Sequence, residues 1–257
     1  MKRMLGWMIV LLLGNVCLLN AADPVDSACV KDLRKLLKDQ QEWVKVHVAE
    51  YLLWTGNAVD EVYKVYKQEA QDFNDVYKYR IGIWRVLAQA SRSKKERAGW
   101  IQKVVTVYKD KNAPDRLHAI ETLSKLKYVV IKGSAVRELL QMTNADPLQI
   151  YSLWNAACGS EAVKKRVQAQ LYTLLLQQIR ERNAPAVQVI AYVLRSLGTP
   201  DVPVWDAVRK EMAVSNVDPR ISAGVLTMLW VTAPVARSSM AQAVKGLLFS
   251  KKEEKAV

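Results

Sequence analysis

The sequence predicts an all-α solenoid of about six antiparallel helix pairs, and three observations carry that expectation. The motif His47-Val-Ala-Glu50-Tyr-Leu-Leu returns as His118-Ala-Ile-Glu121-Thr-Leu-Ser, 71 residues further on. That is two turns of a cycle of roughly 35 residues, a period typical of stacked supersecondary units. Related helical segments begin near Val46, Tyr79, Leu117, Ile150, Val189 and Ile221, at intervals of 33, 38, 33, 39 and 32. No stretch sustains the period-two alternation of a half-buried strand. Ten Gly and eight Pro are also too few to punctuate a loop-rich all-β fold.

The elements follow in pairs. The first helix is expected from about Val25 to Lys38, with Cys29, Leu33, Leu36 and Leu37 on one apolar stripe. Its partner, Glu42 to Thr55, stops at Gly56, a residue suited to a left-handed cap. The second pair spans Val59 to Phe73 and Val76 to Ala90; Val62, Tyr66, Ala70 and Phe73 recur at helical spacing in its first member. The third spans Glu96 to Val107 and Pro114 to Leu126, broken at Asn112-Ala113-Pro114. The fourth, Ala135 to Met142 and Pro147 to Ala157, uses the same device at Asn144-Ala-Asp146-Pro147. Ser160 to Arg180 and Ala184 to Leu197 follow, ended by Gly198-Thr-Pro200. The sixth pair, Pro203 to Met212 and Pro219 to Val231, opens each helix on a proline. Ile221 to Val231 is apolar nearly all round, as for a buried penultimate helix, and Pro234 and Arg237 interrupt it too early for a membrane span. A last helix from Pro234 to about Phe249 leads into the charged tail 251–257. Composition stays level from 23 to 250, so one continuous array is expected there.

The N-terminus reads as an export signal over residues 1–22. Lys2 and Arg3 form a basic start, Met4 to Leu19 is almost wholly apolar, and Ala21 and Ala22 precede Asp23. A retained membrane anchor is the alternative, although this apolar run falls short of the ~20 residues a spanning helix needs. A lipoprotein at Cys17 fits its flanks less well. Removal of 1–22 leaves 36 basic and 25 acidic residues, a net charge of +11. In an exported (periplasmic or secreted) protein such charge suits acidic proteins, anionic glycans or lipid surfaces better than nucleic acid. The densest basic runs, Arg92-Ser-Lys94-Lys95-Glu-Arg97 and Lys164-Lys165-Arg166, read as solvated helix edges. Cys29 and Cys158 fall several repeats apart, which predicts buried, unpaired thiols rather than a disulfide.

The second helices carry a family resemblance. "WVKVHVAEYLLWTG", "DRLHAIETLSKL" and "VQVIAYVLRSLG" resemble the small-residue, Leu-rich inner helix of HEAT-like and armadillo-type repeats, and the likeness covers about residues 25–248. Asp115-Arg116 and Asp218-Pro219-Arg220 resemble the Asp and Arg that such repeats use in ladders between neighbours. "LQIYSLWNAACG" lacks that pair. The resemblance implies a curved, non-catalytic scaffold for other macromolecules.

His47/Glu50 and His118/Glu121 each share a helix face, as in carboxylate-bridged metal sites. Repeats two units apart would separate the pairs by ~20 Å, so they read as polar groups at repeat interfaces, and no metal or cofactor is expected. No HExxH, GxSxG, GxGxxG, P-loop or CxxC pattern occurs, which leaves only a motif-free carboxylate pair to support a hydrolase or lyase. Aromatics are the stronger signal. Eleven of the twenty lie between Trp43 and Tyr108, interleaved with Lys64, Lys67, Lys78, Arg80 and Arg85. Aromatic and Arg enrichment marks protein-binding hot spots. The same residues could equally fill gaps between helices. Tyr63, Lys67, Arg80, Trp84 and Arg85 are therefore the expected contact residues, centred on "YRIGIWRVLAQA". The expected function is recruitment of an acidic protein partner; binding of an anionic glycan is the alternative, and a carboxylate-based enzyme the third.

Overall fold

The computed structural model describes residues 24–213 and 218–233. The expected export signal, the last helix and the charged tail lie outside the described residues. Among these residues there are twelve helices and no strand. They are α1 (Pro24–Asp39), α2 (Glu42–Trp54), α3 (Val59–Asp72), α4 (Tyr77–Ala90), α5 (Lys94–Lys109) and α6 (Arg116–Lys125). Then come α7 (Ser134–Leu139), α8 (Pro147–Ala157), α9 (Glu161–Arg180), α10 (Ala184–Leu197), α11 (Val202–Met212) and α12 (Pro219–Thr232). The fold is all-α and solenoid-like, each helix packing on near neighbours in the chain. The described residues form two compact units, divided between Trp100 and Ile101 inside α5.

Local chemistry explains where the helices begin and end. Asp146 caps α8 by accepting from Gln149 N–H at 2.9 Å, with Pro147 in the first turn. Ser160 caps α9 through Val163 N–H at 3.3 Å, and Asp218 caps α12 through Arg220 N–H at 2.8 Å. Gly56 closes α2 at φ 71°: its N–H donates to Leu53 O and that of Asn57 to Leu52 O. The same closure ends α6 and α9, but with Lys127 (φ 54°) and Arg182 (φ 57°) in the left-handed position.

In the first unit α1 packs on α2, α3 on α4, and α2 lies beside α4. The α2–α4 approach is close because Gly82 faces Val46: a Cβ there would lie 2.6 Å from Val46 Cγ2. In the second unit α6 packs on α8, α8 on α10, and α10 on α12, so the second helix of each pair forms one layer. The α9 helix covers α8 and α10, and α11 joins α9 and α12. Leu153, Val167, Leu171, Leu175, Val187, Ile190, Leu194, Val225 and Met228 form this unit's core. Burying each large aliphatic side chain contributes about 1.5–3 kcal/mol. Leu194→Ala would therefore cost about 2–5 kcal/mol. Trp205 Nε1–H donates to Leu229 O at 3.1 Å and pins α11 to α12.

Two expectations about burial are corrected. Leu37 alone of the α1 stripe is fully buried, and Cys29 is exposed. Among the described residues α1 packs mainly on α2, with Arg34 and Lys38 reaching Glu61 of α3, too little to cover a whole stripe. Cys158 is half-buried, and burial raises its thiol pKa. On α12, Ile221, Val225, Met228 and Leu229 face the core, while Trp230 and Val231 are exposed. Its all-round apolarity therefore does not mean all-round burial.

Candidate functional site

The five expected contact residues fall in three settings within the first unit. Arg85 is a correction: it is fully buried, with Nε 2.7 Å from Glu50 Oε1 and Nη2 donating to Glu50 Oε2 at 2.9 Å. Gln89 also donates to Glu50 Oε1 at 3.0 Å, and Trp43 lies under the guanidinium, 5.5 Å from its ring centroid. A carboxylate taken out of water on α2 needs this partner on α4, so Arg85 belongs to the core rather than to a contact surface. Trp84 is 5% exposed and presents almost no surface. Arg80 is half-buried, its guanidinium 4.4 Å from the Tyr77 ring centroid and 5.4 Å from that of Trp84.

Tyr63 and Lys67 stand on the half-buried face of α3. Tyr63 O–H donates to Glu96 Oε1 at 2.6 Å, and Arg92 and Lys67 lie over its ring at 5.2 and 5.9 Å. Lys67 also lies 5.2 Å from the Trp100 ring centroid and 4.0 Å from Glu96 Oε1. The Tyr63–Glu96 hydrogen bond raises the phenol's pKa and lowers the carboxylate's.

The helix α2 exposes an edge that sequence reasoning did not assemble. Val44, His47, Tyr51 and Trp54 follow helical spacing and are all exposed. Tyr51 and Trp54 meet edge to face at 5.4 Å, and Trp54 Nε1–H donates to Gln89 Oε1 at 3.0 Å. Of the first motif, expected at a repeat interface, Glu50 crosses to α4 while the exposed His47 is described only in a contact on its own helix, Nδ1 lying 3.2 Å from Glu50 Oε2. In the second motif His118 Nδ1 lies 3.8 Å from Glu121 Oε2. Among the described residues no three His, Cys, Asp or Glu side chains converge on a metal-sized site.

The second unit holds a cation–aromatic ledge that sequence reasoning missed. Tyr192 of α10 donates to Glu121 Oε1 of α6 at 2.9 Å. Lys125 Nζ lies 3.0 Å from the same carboxylate oxygen and 5.5 Å from the Tyr192 ring centroid, and Arg195 lies 5.0 Å from that centroid. Tyr151 and Trp154 of α8 meet the Tyr192 ring at 6.3 and 5.8 Å, both steeply inclined to it. Burial, and then the Glu121 charge, push the Tyr151 phenol pKa upward. The visible signal was Tyr192 with Arg195 three residues later on one helix face.

Of the two Arg expected to form ladders, Arg116 reaches α5 and Arg220 bonds the Asp218 beside it. Arg116 Nε–H donates to Tyr108 O at 3.0 Å, and Asp218 accepts from the Arg220 guanidinium at 2.9 and 3.2 Å. In the fourth repeat, which lacks such a pair, fully buried Asn155 does the anchoring. It accepts from Val130 and Ile131 N–H at 2.8 and 3.1 Å and donates to Tyr128 O at 2.9 Å.

These surfaces offer charge-assisted hydrogen bonds and ring contacts, the chemistry of recognition. The tyrosines whose titration is displaced, Tyr63, Tyr66, Tyr79, Tyr151 and Tyr172, all move upward, away from neutrality, and Tyr172 is pushed up to about 12 by burial. No family model, no curated protein and no solved structure matches this chain.

Proposed function

We propose that the chain is an exported, non-catalytic binding scaffold of the HEAT-like kind that recruits an acidic protein partner. The reading is supported by one recurring observation: cations rest on aromatic rings at partly exposed helix edges. Arg80 does so on Tyr77, Lys67 on Trp100, and Arg195 and Lys125 on Tyr192. A guanidinium held against a ring is pre-oriented and keeps in-plane donors for a partner's carboxylates, so less entropy is lost on binding. The net charge of +11 without residues 1–22 favours encounter with an acidic surface. Export rests on the sequence of residues 1–22. Arg80 and Lys67 remain contact residues in this reading; Arg85 acts as their structural support.

The test is crosslinked affinity capture from envelope extract, with an Arg80→Glu/Lys67→Glu variant in parallel. Capture of one acidic protein by the wild type, lost in the variant, is the expected result. Equal recovery of background proteins by both would overturn the scaffold reading and favour the anionic glycan.

A further inference from the structure

The second-layer helices α10 and α12 pack side by side, yet a surface groove of about 270 Å³ remains between them. Gln188, Tyr192 and Arg195 form one wall, and Arg220, Gly224 and Thr227 the other. The floor at Gly224 is unusual. A Cβ placed there would meet Gln188 Cγ at 3.8 Å and nothing closer, so helix packing does not require a glycine. Glycine inside a helix is unfavourable relative to alanine, which makes one without a packing role conspicuous. What it provides is depth: the α12 backbone is open to whatever enters the groove.

The walls are built for anions. Arg220 is held by Asp218 through two guanidinium nitrogens, which fixes its direction at the first turn of α12. Arg195 lies against the Tyr192 ring and, among the described residues, forms no ion pair with a carboxylate. The Arg195 guanidinium, placed against the ring, presents its fork of donors to a carboxylate. Thr227 O–H donates to Ala223 O at 2.8 Å, which leaves the oxygen's lone pairs able to accept a backbone N–H.

We infer that this groove is a subsite for an extended acidic segment of a partner protein: Arg195 engages a carboxylate of that segment, and Gly224 admits its backbone. The inference rests on the scaffold reading and gives that partner a chemistry. The occupant comes from another chain, because the segments of this chain outside the described residues have the wrong charge. Residues 234–257 carry Arg237, Lys245, Lys251, Lys252 and Lys255 against Glu253 and Glu254, and residues 1–23 carry Lys2 and Arg3 against Asp23. An anionic glycan fits less well. Sugar rings bind by stacking on open aromatic faces, and Tyr192 already holds Lys125 and Arg195 on its ring with Tyr151 and Trp154 against it.

The test is fluorescence anisotropy with the full chain and two labelled probes, (Glu-Gly)4 and (Gln-Gly)4, with a heparin hexasaccharide as competitor. The glutamate probe should bind and the glutamine probe should not, and added salt should weaken binding. Arg195→Gln should weaken it about tenfold, the loss of one charge-assisted hydrogen bond. Gly224→Leu should weaken it by at least about as much while leaving the charge unchanged, and unaltered circular dichroism would confirm that both variants fold. If the glutamate probe binds wild type and both variants alike, the groove assignment falls while the scaffold reading survives. If wild type does not distinguish the two probes, both fall. Displacement by heparin at lower concentration than the unlabelled glutamate peptide would overturn the choice of a protein occupant.

Discussion

The same four-residue pattern has different fates in the two units. Glu50 of α2 is 1% exposed and neutralised by Arg85, 35 residues later on the neighbouring second-layer helix. Glu121 of α6 is 13% exposed and is met by Lys125 on its own helix and Tyr192 two pairs further on. A repeated motif therefore fixes a face of a helix without fixing what covers that face. A second pair sharpens the point. Val46 faces Gly82 in the first unit, and Gln188 faces Gly224 in the second; each pair is 36 residues apart, and the two are offset by 142, twice the interval between the histidines. At Gly82 the missing side chain lets two helices touch, whereas at Gly224 it leaves a groove.

The largest expected effect tests the carboxylates. Arg85→Met leaves Glu50 buried without its cation and should cost about 3–5 kcal/mol in urea denaturation. Lys125→Met, beside the less buried Glu121, should cost about 1 kcal/mol or less. Equal losses would break the contrast between the two motifs. Next is Asn155→Leu, which removes the second unit's neutral anchor and strands buried backbone groups at Val130, Ile131 and Tyr128, for about 2–3 kcal/mol. A loss below that measured for Lys125→Met would mean that the 128–131 segment holds itself. Gly82→Ala should destabilise by about 1–3 kcal/mol, because the new Cβ collides with Val46 and with Trp43 at 3.2 Å. Gly224→Ala should do the opposite, raising stability by about 1 kcal/mol while making the groove shallower. If both substitutions shift the midpoint in the same direction, the two glycines are not in the different settings described. The smallest effect concerns closure of α9: Arg182→Gly should add about 1 kcal/mol, since Arg182 adopts φ 57° in an exposed cap. Gly56→Ala, at the equivalent position of α2, should remove a similar amount.

Much of the helical layout was legible because its signals are local. Helical spacing of apolar residues, Asp146-Pro147 and Asp218-Pro219 at the starts, and Gly56 at an end each act within a few residues. The candidate site was legible only in part. "YRIGIWRVLAQA" advertises two arginines and a tryptophan, yet Tyr79 and Ile81 to Ala88 are buried, leaving Arg80 and Gln89 partly accessible between them. Periodicity identifies a helix's apolar face but cannot say whether the opposite face is covered as well. The Tyr192 ledge was obscured for a related reason: its members come from α6, α8 and α10, dispersed from Glu121 to Arg195.

Sequence alone determined that this chain forms paired helices at a roughly 35-residue period, where most of them begin and end, and that its composition is basic, with aromatics concentrated in its first half. Tertiary structure alone decided which charges are core and which are available, since Arg85 and Arg195 differ by their neighbours rather than by their type. It also decided which glycine joins two helices and which opens a groove. Capping and periodicity are encoded between residues one to four positions apart, whereas desolvation depends on what arrives from 35 or 71 positions away.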